Sequence, residues 1–126
     1  MNQTMTIEDR IFAMDRAELD AYPHGVITLD PNGTIVRYNL AEAQLAHRDQ
    51  ATTIGLNFFR DVAPCTAVKD FMGRFEAFAQ GTGSAVERFD FTFKFAWGHQ
   101  AVGITMIRKA GAREINLVVS VKSKAL

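Results

Sequence analysis

The chain has 126 residues, of which 48% are hydrophobic and 22% are charged. A chain of this length and composition buries a substantial core, which excludes a disordered protein, and we expect one domain over residues 1–126. The 14 lysine and arginine residues balance the 14 aspartate and glutamate residues, so we expect neither a nucleic-acid partner nor an anionic membrane partner. Residues 1–10 lack the basic start and apolar run of a signal peptide, and we expect a cytoplasmic protein without a membrane span.

The N-terminal segment predicts one short amphipathic helix. Thr6 followed by Asp9 is typical of a helix start, and Pro23 ends the segment. Apolar residues recur between them at roughly helical spacing: Ile11, Phe12, Met14 and Leu19. We therefore expect residues 1–24 to form a helical cap on a core that comprises residues 25–126.

A β-hairpin follows, and then an irregular segment. Residues 25–29 and 34–38 are strand-like, and the turn between them contains Gly33, which can adopt the left-handed conformation. Residues 39–70 show only short helical patterns and turns. Irregular segments held by a regular scaffold are where functional sites tend to lie.

The rest of the chain predicts a helix and three strands. Residues 69–80 carry apolar side chains at helical spacing. Residues 101–109 and 114–122 are strand-like, with breaks at residues 98–99 and 110–112. The clearest strand alternates polar residues with four phenylalanines that would share one sheet face: Phe89, Phe91, Phe93 and Phe95. This order of elements predicts an α+β, PAS-like fold with a five-stranded antiparallel sheet flanked by helices.

Two groups of residues suggest chemistry. Cys65 is the only cysteine, so it has no disulfide partner within the chain, and no metal site is expected around it. Tyr38 and Glu42 lie four residues apart and are expected to share one helical face. A thiol that can be acylated, together with a phenol and a carboxyl that can hold an anion, outlines a site for a covalently bound chromophore.

Longer runs around these residues resemble the photoactive yellow protein family. The runs are YNLAE at residues 38–42, RD at 48–49, IGLNFFRDVAPCT at 54–66 and the phenylalanine-rich strand. The likeness extends from about Leu19 to the C-terminus. It implies a blue-light photoreceptor that is not an enzyme and that carries 4-hydroxycinnamic acid (p-coumaric acid) as a thioester on Cys65.

The resemblance also implies roles for individual residues. Tyr38 and Glu42 would hydrogen-bond the phenolate oxygen, the backbone N–H of Cys65 would meet the thioester carbonyl, and Arg48 would cover the pocket. Glu42 can donate because burial raises the pKa of a carboxylic acid; after light isomerises the chromophore, Glu42 would protonate the phenolate. The buried carboxylate would then loosen the cap, which signals to a downstream protein. The resemblance also places three aromatic side chains in the pocket lining: Phe58, Phe91 and Phe93.

The chain departs from the family pattern at three places. Ala46 stands where a threonine that supports the tyrosine is common, and His47 stands where a glycine is common. Near Trp97 and Gly98, a methionine linked to thermal recovery is not retained. We expect these changes to affect colour and the speed of the photocycle but not attachment. We expect a monomer or a weak dimer.

Simpler interpretations remain open for each feature. An isolated cysteine is most often a small buried hydrophobe, Tyr38 and Glu42 could be a surface helix pair, and Arg48 could be a solvated charge. The phenylalanines are first of all core residues.

Three alternative functions also follow from the sequence. The first is a chromophore-free PAS interaction module with a free thiol. A cysteine-nucleophile hydrolase is less favoured and needs His47 or His99 as a base near Cys65. Flavin photosensing is disfavoured because Pro64-Cys65-Thr66 does not resemble the asparagine-cysteine-arginine run of flavin-binding photosensors.

Overall fold

The computed structural model describes residues 6–122. Residues 1–5, which belong to the predicted cap and to the segment without signal-peptide features, lie outside the described residues. The predicted five-stranded antiparallel sheet is confirmed, with the strand order β2-β1-β5-β4-β3. Its strands are β1 (Gly25–Leu29), β2 (Ile35–Tyr38), β3 (Ala85–Phe95), β4 (Gly98–Arg108) and β5 (Ile115–Val121).

Helices precede and follow the first hairpin. The α-helices are α1 (Ile7–Ala13), α2 (Arg16–Ala21), α3 (Leu40–Ala46), α4 (Gln50–Thr53) and α5 (Arg74–Ala79). Between α4 and α5 the chain forms a wide π-helical turn (Phe58–Val62), a 3₁₀ turn (Pro64–Thr66) and a second π-helical turn (Lys69–Gly73). None of the helices between residues 6 and 122 is long and apolar enough to cross a bilayer.

The prediction of one N-terminal helix is wrong, because the chain forms two. Asp15 has an extended backbone and caps α2: its carboxylate accepts from the N–H of Glu18, and the Glu18 carboxylate accepts from the N–H of Asp15. This reciprocal pair stabilises a helix start within the apolar pattern. The apolar spacing continues across the break between α1 and α2, which the side chain of Asp15 creates, so the spacing alone does not reveal this break.

The β1–β2 hairpin has the predicted turn. Gly33 has a φ of 88°, and its N–H donates to Asp30 O at 2.9 Å. A Cβ added there would come within 3.0 Å of the Phe59 ring. Glycine is thus required both by the left-handed backbone and by the neighbouring core.

Two predicted boundaries are wrong. Residues 98–99, predicted as a break, begin β4, because a two-residue turn at Ala96 and Trp97 closes the β3–β4 hairpin and pairs Phe95 with Gly98. The helix predicted over residues 69–80 is a π-helical turn, Lys69–Gly73, followed by the α-helix Arg74–Ala79. The alternating phenylalanines lie along β3, as predicted.

The sheet is covered on both faces, so β1 is buried along its whole length. One face carries the inner core, which includes the buried rings of Phe58, Phe71 and Phe93. The opposite face carries α1 and α2, whose Ile11 and Leu19 pack against three sheet residues: Val26, Ile107 and Val118.

Arg37 joins the N-terminal helices to the sheet. From β2, its guanidinium donates to Met14 O at 2.9 Å and to Ile11 O at 3.1 Å. It also donates to Thr28 Oγ1 at 2.8 Å and to Asn116 Oδ1 at 3.1 Å. One side chain thus connects the last carbonyls of α1 with strands β1 and β5.

Candidate functional site

Tyr38 and Glu42 are both buried, but they do not share a helical face. Tyr38 is the last residue of β2, and Glu42 lies in the first turn of α3. The prediction of a shared face is wrong because Asn39 has an extended backbone and caps α3. The exposed fraction is 3% for Tyr38 and 2% for Glu42, which also overturns the interpretation as a surface helix pair.

Asn39 fixes the position of Glu42. Its Oδ1 accepts from the N–H of Glu42 at 3.1 Å and from the N–H of Val26 at 2.8 Å. Its Nδ2 donates to Leu19 O at 2.8 Å and to His24 O at 2.9 Å. The start of α3 is therefore tied to strand β1 and to the end of α2 through one buried amide.

Burial determines the protonation of this pair. Desolvation raises the pKa of Glu42 to about 8, so its carboxyl holds a proton at neutral pH. Desolvation also raises the pKa of Tyr38, and the Glu42 carboxylate raises it further, whereas the Arg48 guanidinium opposes the rise. Both groups are thus neutral hydrogen-bond donors.

Neither donor has a partner in the described part of the chain. Tyr38 Oη and Glu42 Oε1 are buried and make no hydrogen bond to residues 6–122. A buried polar atom without a partner is costly in free energy, and folded proteins rarely leave one unexplained. Two such atoms on neighbouring residues fit a site that is completed by a hydrogen-bond acceptor.

Gly25 provides the space that the Glu42 carboxyl occupies. Gly25 is the first residue of β1 and is buried. A Cβ added to it would collide with Glu42 Oε1. Every other residue type would therefore displace the carboxyl. The sequence pattern indicates Gly25 only as the start of a strand, so this role was not predicted.

Cys65 lies in the 3₁₀ turn Pro64–Thr66, where it is partly buried against the inner core. Its Sγ accepts from the backbone N–H of Lys94 on β3 at 3.5 Å. Cys65 is the second residue of this turn, and the first N–H groups of a helical turn are not used by the turn itself. Cys65 therefore packs between the irregular segment and an edge strand.

In the described part of the chain, neither histidine proposed as a base hydrogen-bonds the thiol. The His47 ring stacks on Trp97, with ring centroids 4.2 Å apart. His99 pairs with Lys94 across the β3–β4 hairpin, so its side chain lies on the sheet face opposite to Phe93. Within residues 6–122, Sγ receives its hydrogen bond from a backbone amide and not from an imidazole.

Arg48 is held by a residue that the sequence pattern did not indicate. Its Nε donates to Thr53 Oγ1 at 3.1 Å, and Thr53 is fully buried and donates to Asp49 O at 2.7 Å. Arg48 is thus partly buried and fixed, rather than a freely solvated charge. A threonine at the end of a four-residue helix carries no sequence signal for this role.

The aromatic residues converge on Phe71. Phe58 and Phe93 are buried, and Phe91 is partly buried. The ring centroid of Phe71 lies 5.7 Å from that of Phe58, 6.4 Å from that of Phe93 and 5.0 Å from that of Phe91. The helical spacing indicates Phe71 as a core residue, but only the tertiary contacts make it the centre of this aromatic wall.

Comparison with known proteins identifies the family. Residues 19–119 match the PAS fold family. A photoactive yellow protein of Cereibacter sphaeroides is 40% identical over 102 residues, which are 81% of this chain and 80% of that protein. One of Rhodothalassium salexigens is 40% identical over 103 residues, which are 81% of each chain. The chain belongs to the photoactive yellow protein family.

A solved structure of this family has the same fold. The photoactive yellow protein domain from the sensor histidine kinase Ppr of Rhodospirillum centenum superposes with a TM-score of 0.82 and 39% identity, covering 90% of this chain and 98% of that domain. The predicted family and the predicted PAS-like fold are thus confirmed. Membership in the photoactive yellow protein family supports a PAS-type photoreceptor or sensor role and suggests a non-enzymatic protein.

Proposed function

We propose that this chain is a blue-light photoreceptor that carries 4-hydroxycinnamic acid (p-coumaric acid) as a thioester on Cys65. The observation that carries the proposal is a pair of buried donors, Tyr38 Oη and Glu42 Oε1, that make no hydrogen bond to residues 6–122. Tyr38 belongs to the inner core against which the only cysteine packs, and Glu42 is buried as well. A phenolate would supply the acceptor that both donors lack, and hydrogen bonds to a charged acceptor are about twice as strong as neutral ones.

The other candidate residues would enclose the group. Phe58, Phe91 and Phe93 would provide apolar walls, and Arg48 would add a positive charge near Tyr38, on whose pKa it acts. When bound, the hydroxycinnamoyl group supplies absorption of blue light and a double bond that light isomerises.

Glu42 would supply the proton that converts absorbed light into a structural change. Its pKa of about 8 keeps the proton on the carboxyl in the dark at neutral pH. Once Glu42 has given up this proton, a carboxylate remains at a fully buried position. Desolvation of a buried charge costs several kcal/mol, against a total stability of about 5 to 15 kcal/mol for a domain.

The cap would receive this destabilisation through Asn39. The amide of Asn39 accepts from the N–H of Glu42 and donates to Leu19 O and His24 O. A shift of the start of α3 would therefore weaken the attachment of α2. In this proposal residues 1–24 form the output element of a single cytoplasmic domain with its core in residues 25–126, and a downstream signalling protein reads the change.

Reconstitution tests the proposal. Protein incubated with activated p-coumaric acid should gain the mass of one hydroxycinnamoyl group, absorb blue light and bleach reversibly after a blue flash. Cys65→Ala should gain no mass, and hydroxylamine should release the group from the unaltered chain, because thioesters are cleaved by this nucleophile. A folded protein that stays colourless with a free thiol would instead support the chromophore-free interaction module.

A further inference from the structure

Three aromatic rings form a continuous stack at the end of the β3–β4 hairpin. Phe95 and Trp97 are nearly parallel, at 12°, with centroids 4.9 Å apart. Trp97 and His47 are parallel within 13°, with centroids 4.2 Å apart. We refer to Phe95, Trp97 and His47 as the ring stack. Parallel stacking over two successive interfaces holds the exposed Trp97, which has an exposed fraction of 46%, in one orientation.

The backbone of His47 indicates that its side chain has a role. His47 ends α3 with a φ of 56°, and it is the only non-glycine residue with positive φ among residues 6–122. Glycine adopts this conformation at the end of a helix without steric cost. What histidine adds at this position is an imidazole that contacts Trp97.

The ring stack joins the two sides of the candidate site. At one end, Phe95 follows Lys94, whose N–H donates to Cys65 Sγ. At the other end, His47 closes α3, the helix that carries Glu42, and precedes Arg48. The stack thus connects the strand beside the thiol to the helix that bears the buried carboxyl.

We propose that the ring stack is a clasp that controls access to Cys65. With the stack formed, the β3–β4 turn is held against the end of α3, and the partly buried thiol is reached more readily when the rings separate. His47 and Trp97 would then be positioning residues for the site. This inference builds on the proposed site at Cys65, but it concerns only the accessibility of the free thiol and not the nature of the group attached to it.

The thiol itself provides the test, because Cys65 is the only cysteine in the chain. In protein without chromophore, a disulfide reagent such as dithiobis(nitrobenzoate) reacts with one thiol per chain. The Cys65 thiolate forms a mixed disulfide with half of the reagent, and the other half leaves as one coloured thiolate. When opening and closing are fast, the reaction rate follows the population of the open form. Removing one stacked pair should therefore raise the rate about three- to tenfold.

The main variant is His47→Gly, which removes one ring and also relieves the left-handed backbone. It should fold, label about three- to tenfold faster than the unaltered chain, and make the only tryptophan more accessible to acrylamide quenching. Trp97→Ala should also label faster, whereas Trp97→Phe, which keeps a stacking ring, should largely restore the slow rate. His24→Ala is the matched control, because His24 makes an edge contact with Tyr22 at 5.6 Å, away from the ring stack.

Two results would overturn the clasp. One is an unchanged labelling rate in His47→Gly while acrylamide quenching of Trp97 rises, because the stack would then open without exposing the thiol. The other is equal acceleration in His24→Ala. Neither measurement uses the chromophore, so the clasp can hold while reconstitution fails, and reconstitution can succeed while the clasp fails.

Discussion

The clearest quantitative prediction concerns the proton on Glu42. In Glu42→Gln a neutral amide replaces a carboxyl that is fully buried and whose pKa is raised from its ordinary value of 4.5 to about 8 by desolvation. We expect this change to remove a large part of the pH dependence of folding stability in protein without chromophore.

The sign and size follow from proton binding. Between about pH 4.5 and about pH 8 the folded state holds the Glu42 proton and the unfolded state does not, so the free energy of unfolding falls as pH rises. The stabilisation from the Glu42 proton is fully present below the pKa that Glu42 has in the unfolded state. It is lost as the pH rises through the pKa that Glu42 has in the folded state. The two values differ by about 3.5 pH units, and about 1.36 kcal/mol per unit gives a loss on the order of 5 kcal/mol.

Urea unfolding at a series of pH values from about 5 to about 8 measures this loss. The free energy of unfolding of the unaltered chain should fall by about 4 kcal/mol over this range, and that of Glu42→Gln should fall far less. Any constant cost of burying the new amide cancels when the two slopes are compared, and all other ionisable residues are the same in both proteins. Glu76→Gln, at an exposed position of α5, serves as the control and should keep the full slope. Equal slopes for Glu42→Gln and the unaltered chain would refute the assignment.

Three further changes test neighbouring parts of the site. Ala46→Thr should supply the hydroxyl that Tyr38 lacks and lower the pKa of the chromophore, which shrinks a shorter-wavelength dark band in absorption spectra at fixed, mildly acidic pH. His47→Gly, measured in parallel, separates the effect of the hydroxyl from that of the neighbouring imidazole, and a single dark band unaffected by Ala46→Thr would contradict this prediction. Arg37→Gln removes two hydrogen bonds to α1 and its C-terminal cap, so amide exchange in the cap should speed up about tenfold in darkness and approach the rates of the unaltered chain under blue light. Protection of β4 and β5 should stay unchanged. Equal cap protection of the unaltered chain in darkness and in light would exclude the cap as the output element. Gly25→Ala should displace the Glu42 carboxyl and destabilise the protein by about 1 to 3 kcal/mol in urea unfolding, and an unchanged midpoint would show that the carboxyl moves freely.

The strands and the chemistry-bearing residue types were predictable because their signals are local. Alternation over a few residues identifies β3, and the turn with Gly33 identifies the first hairpin. The errors have local causes too. The capping side chains of Asp15 and Asn39 interrupt the apolar or helical spacing, so one predicted helix became two, and Tyr38 and Glu42 do not share a helical face.

The sequence by itself determined which groups this protein has for its chemistry: one thiol, a phenol and a carboxyl in a short run, and phenylalanines on one strand face. Only the tertiary structure decided what these groups can do. The raised pKa of Glu42 follows from its burial, with its carboxyl against Gly25 of β1. Tyr38 Oη has no hydrogen-bond partner among residues 6–122 because no acceptor in that part of the chain lies within its reach. The protonation of a group and its lack of a hydrogen-bond partner depend on contacts between residues that are distant in the sequence. The spacing of residues along the chain does not predict these contacts.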